Sequence, residues 1–125
     1  MTRPLIVGQA PSRRSDPREP LSGRSGERLA VLCGLGMPSF LARFERVNLL
    51  DEFPGKSGKG DLLPREVARF AACNLTGQLR QRRTVLLGLG VARAFHLHRR
   101  PLFEWIDEIG DGDAVAVGPA VADRL

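Results

Sequence analysis

With 125 residues the chain has the length of one compact domain able to bury a real core, and no second domain is needed. A hydrophobic fraction of 42% and a mean hydropathy of -0.14 match a water-soluble globular protein; no apolar run nears the roughly 18 residues of a membrane span and no export leader opens the chain, so a cytoplasmic location is expected by default. The formal charge of +5, carried almost entirely by arginine, suits a phosphate-bearing partner, while the lack of tyrosine and an aromatic share of 6% argue against a stacking platform for single strands.

Leu5, Ile6 and Val7 form a continuous leucine and β-branched run between Pro4 and Gly8, which predicts a strand buried on both faces of a parallel sheet. The chain then leaves the C-terminal edge of that sheet, where open α/β folds bind ligands, through Gly8-Gln9-Ala10-Pro11. Gly8 admits close approach of a ligand and Pro11 stiffens the turn. A long polar loop carrying Arg13, Arg14, Asp16 and Arg18 closes on Gly23-Arg24-Ser25-Gly26. Ser22 or Ser25 is expected to cap a helix over 27–35, with Leu29, Leu32 and Cys33 at helical spacing and a stop at Gly34 or Gly36. A short helix over 38–44 and a strand over 46–50 follow, the strand delivering Asn48, Asp51 and Glu52 at its end. The segment 53–61 reads as a flexible glycine and lysine loop. The clearest helix is 64–79, with Val67, Phe70, Ala71, Leu75 and Leu79 on one stripe. Residues 84–87 read as an inner strand, 91–95 as a helix and 114–117 as the last strand, with 99–110 ambiguous. Four strands alternating with helices predict a three-layer α/β/α sandwich around a central, mostly parallel four-stranded sheet, with right-handed crossovers.

Chemistry-bearing patterns are few. Arg13, Arg14, Arg18, Arg24 and Arg28 crowd the first loop, Lys56 and Lys59 sit in the 53–61 loop, and Arg80, Arg82 and Arg83 precede a strand. Together they form either an electropositive rim for a nucleic-acid backbone or ordinary arginine-rich surface. Gly55-Lys56-Ser57 lacks the upstream glycine of a phosphate-binding P-loop, and no helix follows it. Gly88-Leu89-Gly90 follows a strand and opens a helix, but Arg93 stands where a dinucleotide fingerprint needs its third glycine, so a tight turn is the plainer reading. Cys33 and Cys73 read as small core residues in a reducing compartment, and His96 and His98 as surface residues.

Read as a series, Val7-Gly8-Gln9-Ala10-Pro11-Ser12, the charged loop, Pro20-Leu21-Ser22-Gly23-Arg24-Ser25-Gly26 and then Arg46-Val47-Asn48-Leu49-Leu50 resemble the uracil-DNA glycosylase superfamily over residues 4–95. Members have a Gly-x-x-Pro loop after the first strand, an aromatic-Gly-Arg-Ser/Ala-Gly segment opening a helix, and an Asn at a second strand end. The resemblance implies a single domain over 1–125, a monomer, that takes a flipped uracil or mismatched base from DNA and hydrolyses its N-glycosidic bond, with no metal or cofactor. It implies catalytic positions at Gln9 and Ala10, whose backbone N–H groups face the departing base oxygen, and at Asp16 as the available carboxylate. Gly8, Pro11, Leu21 and Asn48 are implied to hold the base, Asn48 by pairing with both the oxygen and the N–H of a uracil-like edge or, on the plainer view, only capping the next turn. Arg13, Arg14, Ser22, Gly23, Arg24, Ser25, Lys56 and Lys59 are implied to touch DNA.

The departures are as informative. No carboxylate follows Gly8 directly, and Leu21 stands where an aromatic often stacks on the base. Cys73 resembles one ligand of the iron–sulfur cluster that some members carry, but its companions are missing and no cluster is expected. The family's His-Pro-Ser type loop does not follow 114–117, so the chain reads as truncated or altered there. Three expectations stand: a glycosylase-like enzyme, a non-catalytic DNA- or nucleotide-binding relative, and a nucleotide-dependent α/β protein that uses Gly88 and Gly90.

Overall fold

The computed structural model describes residues 3–11, 16, 18–57, 60–61, 63–79, 82–96 and 114–117. The chain is a mixed α/β protein organised on three parallel strands: β1 (Leu5–Gly8) lies between β2 (Glu45–Asn48) and β5 (Thr84–Leu87). The register sets Leu5 opposite Glu45 and Thr84, and Gly8 opposite Asn48. Every residue of β1 is buried, as its unbroken apolar run requires. The ladder outlasts β2, because the N–H groups of Leu49 and Leu50 donate to the carbonyls of Gly8 and Gln9 at 2.9 and 3.0 Å.

The period-two alternation of β1 divides the core between two faces. Leu5 and Val7, with Leu86, pack against α3 (Arg65–Leu75) and α4 (Leu89–Ala94) through Ala68, Ala72, Val91, Ala92 and Phe95. Ile6 and Val85 pack on the opposite side against α1 (Arg24–Leu32) and α2 (Met37–Arg43) through Leu29, Ala30 and Phe40. There Phe40 and Phe44 meet with ring centroids 5.4 Å apart, tilted at 42°, within the favoured aromatic range.

Several expectations shift. Helix α1 starts at Arg24, not at residue 27, and neither serine caps it: Gly23 holds the N-cap position, its carbonyl accepting from the Glu27 N–H at 3.0 Å. Ser22 is committed elsewhere, its Oγ donating to the Glu19 carbonyl at 2.6 Å in a tight turn, so its oxygen does not reach the helix N–H groups. The other end is as the glycine pattern suggests. Gly34 turns at φ 71°, and the Leu35 N–H reaches back to the Ala30 carbonyl at 2.8 Å.

Helix α3 is rotated from its apparent apolar stripe. Ala68, Ala72 and Leu75 are buried, whereas Val67 and Phe70 are 54% and 70% exposed. A rotation of about one residue, or about 100°, lets the alanines approach Val91 and Ala92 closely. Leu79 is buried in the 3-10 turn Thr76–Leu79, which replaces the last predicted helical turn. Cys73 is exposed on the same helix, against its reading as a core residue, and Cys33 is half-buried. Residues 53–61, expected as loop, contain a small antiparallel pair, β3 (Lys56–Ser57) and β4 (Gly60–Asp61). The last strand, β6 (Ala114–Val117), pairs with β5 antiparallel, Thr84 opposite Val117. An Ala-Val-Ala-Val run encodes burial but not direction, and an antiparallel edge on a parallel core is a common arrangement. The ambiguous 99–110 segment, the residues after Val117 and His98 lie outside the described residues. Among the described residues no helix is long and apolar enough to cross a membrane.

Candidate functional site

The parallel strands converge at their C-terminal edge on the contact between Gly8 and Asn48. A side chain at residue 8 would put its Cβ 2.5 Å from Asn48 Oδ1, so glycine lets that amide keep its place, with Leu21 Cδ2 in ordinary contact distance at 3.7 Å. Leu21 reaches this place through a left-handed backbone, φ 58°, an uncommon conformation for a branched residue that costs about 1–3 kcal/mol and persists only where its surroundings enforce it. Two contacts enforce it. The Leu21 carbonyl lies against Gly26 in the first turns of α1, where any Cβ would collide with it. Arg46, on β2, donates from Nη1 to the Pro20 carbonyl at 2.6 Å, and its Nε is buried without a hydrogen-bond partner among the described residues.

The result is a cavity of about 130 Å³. Its lining brings together Ala10 and Pro11 after β1, Asp16, Pro20 and Leu21 of the following loop, Gly23, Arg24 and Ser25 at the start of α1, and Asn48 at the end of β2, with Glu19 beside them. A cavity of about 150 Å³ holds benzene, so this one matches a single planar ring and little more. Of the residues singled out in the sequence, Ala10, Pro11, Asp16, Leu21, Gly23, Arg24, Ser25 and Asn48 line this cavity, and Gly8 packs against the Asn48 amide. Glu19, Arg46 and Gly26 are the residues that reading passed over. Gly26 was visible only as part of a motif, and Arg46 looked like a strand residue with no reason to face the loop.

Two predicted members separate from the group. Gln9 lies on the other side of the Gly8–Ala10 turn, in a larger cleft of about 750 Å³ whose other described lining residues are Leu63, Arg65, Ala68, Arg69, Gly90, Arg93, Ala94 and His96. The chain bends at Gln9, just past the end of β1, so Gln9 and Ala10 line different cavities, which a linear motif does not convey. Ser22 contributes to the turn below the cavity instead of its lining. Lys56 begins β3, and Arg13, Arg14 and Lys59 lie outside the described residues.

Among the described lining residues the carboxylates are Asp16 and Glu19, and Asp16 is not a free base. Its Oδ1 accepts from the Arg18 backbone N–H at 2.9 Å and from Arg18 Nε at 3.3 Å. These bonds, the backbone one foremost, hold its carboxyl below the usual carboxylate range. The group stays ionised at neutral pH, but its charge is already shared with a guanidinium. Gly88 turns at φ 94° into α4, and a Cβ at Gly90 would stand 2.8 Å from Leu63 Cδ2. Gly90 thus serves the packing of Leu63, the opposite of the open backbone that a dinucleotide pyrophosphate needs. No family model, curated protein or solved structure matches the chain.

Proposed function

We propose that the chain is a uracil-DNA glycosylase-like protein, an α/β/α sandwich around a four-stranded sheet, which admits one extruded uracil or mismatched base into the cavity lined by Ala10, Pro11, Leu21 and Asn48. The observation that carries this reading is the Gly8–Asn48 juxtaposition beneath a ring-sized cavity. In it the Asn48 amide supplies both a donor and an acceptor, the pair that a uracil edge complements. Leu21 packs on the ring face, with less contact than an aromatic side chain provides.

Cleavage of the glycosidic bond leaves negative charge on the base and positive charge on the sugar. The backbone N–H of Ala10 stabilises the departing base oxygen; the electron pair of the broken bond stays on the base nitrogen, water adds its oxygen to the sugar carbon, and the proton it loses passes through solvent to that nitrogen. Asp16, an ionised carboxylate in the cavity lining, offsets the sugar charge weakly, because Arg18 already engages it. Hydrolysis is accordingly slow. A second reading, recognition of the extruded base without cleavage, is favoured by that same Arg18 engagement and by the absence of a carboxylate on Gln9 or Ala10.

Duplexes carrying uracil opposite guanine, hypoxanthine or a G·T mismatch test both readings through binding and base release. The expected outcome is preference for uracil, reduced by about 1–3 kcal/mol in Asn48→Ala, together with slow release. Preference without release at any protein excess establishes the binding reading. Equal binding of all duplexes by wild type and Asn48→Ala rejects both.

A further inference from the structure

We infer that the cleft on the far side of the Gly8–Ala10 turn is an oxyanion site that grips the sugar-phosphate backbone of a nucleic-acid strand through Arg65, Arg69 and Arg93. The inference rests on the base-pocket reading only for its choice of nucleic acid as the source of phosphate. Its volume of about 750 Å³ is within the range of ligand-binding clefts. Ala68 and Ala94 line it with short side chains and Gly90 with none, beside Leu63, which packs on Gly90. The rim is cationic. Arg65 and Arg69 stand one helical turn apart on α3, at the i,i+4 spacing that puts both on one face, and Arg93 faces them from α4.

No carboxylate stands among the described lining residues, and no ion pair or hydrogen bond engages any of the three guanidinium groups among the described residues. A planar fork of donors left open in a concave site matches phosphate bidentately. Arginines elsewhere on the molecule are used differently: Arg3, Arg46 and Arg82 donate to backbone carbonyls. The cleft also adjoins the base cavity through one peptide, Gln9 lining one and Ala10 the other. A strand crossing the Gly8–Ala10 turn therefore presents a base to one side and phosphates to the other.

The test is the salt dependence of binding to an undamaged single-stranded oligonucleotide, which bypasses base recognition. Each phosphate contact removed lowers the slope of log K against log salt by about 0.7, so Arg69→Gln/Arg93→Gln is expected to lower it by about 1.4. Arg43→Gln, with an exposed arginine at the opposite edge of the strands, is expected to change it far less. Thermal unfolding of each variant reports that the fold survives. A double variant that is folded and keeps the wild-type slope overturns the inference, as does an equal fall in Arg43→Gln. Pyrophosphate and a nucleoside triphosphate, added as competitors, identify the source: displacement only at concentrations that act through ionic strength supports a strand, whereas stoichiometric displacement overturns it in favour of a free nucleotide. Loss of uracil preference in Asn48→Ala is a separate readout, so the pocket and the cleft fail independently.

Discussion

Gly26 illustrates how one atom decides the loop. Inside a helix, replacing glycine with alanine normally gains about 0.5–1 kcal/mol from backbone entropy. Here the added methyl meets the Leu21 carbonyl, which Arg46 and the left-handed turn at Leu21 prevent from retreating. Gly26→Ala is therefore expected to lose about 1–3 kcal/mol, as overpacked sites do, and to lose uracil preference with it, read by urea unfolding and duplex binding. A stabilised variant that binds normally would show the loop is not seated on α1. Gly8 needs its missing side chain for a different reason, to leave the Asn48 amide in place. Both glycines belong to the recognisable motifs, yet their reasons lie in contacts made with residues 5 and 40 positions away along the chain, respectively.

Helix α3 shows the same limit for a segment. Its pattern contains two candidate stripes one residue apart, and the larger side chains favour the wrong one. The buried stripe carries alanines because α4 lies close, and Val67 and Phe70 are left outward. Ala72→Leu is expected to cost about 1–3 kcal/mol, while Phe70→Gln stays within about 0.5 kcal/mol, both measured by chemical denaturation. The reverse ranking would mean that the helix sits on its large residues. Helix α1 differs: its Gly34 terminus was readable because a left-handed stop is a local backbone demand.

Across the sheet, the two ends of the strands carry different duties. At the N-terminal end Arg82, whose side chain is only 10% exposed, donates to the Arg3 carbonyl at 2.8 Å and pairs with Glu45 at 2.8 Å, and Arg3 meets the same glutamate at 3.5 Å. These residues flank the starts of β5, β1 and β2, so the cluster ties all three parallel strands. Arg82→Met keeps the aliphatic stem and removes the charged head; it is expected to cost about 1.5 to 3 kcal/mol in a thermal or urea melt without altering uracil preference. A changed preference with unchanged stability would contradict this division between ends. The C-terminal end holds the cavity and the cationic cleft, as open parallel sheets allow.

The strands β1 and β5, the stop at Gly34 and the gathering of Gly8, Ala10, Pro11, Leu21 and Asn48 were legible in the order of the amino acids, because buried runs and glycine demands are local and parallel strands bring their ends to one edge. The rotation of α3, the antiparallel direction of β6, the displacement of Gln9 into a second cleft and the engagement of Asp16 by Arg18 were not. Each depends on which face meets which neighbour, and a side chain's partner across the fold is set by packing distances that no stretch of sequence carries alone.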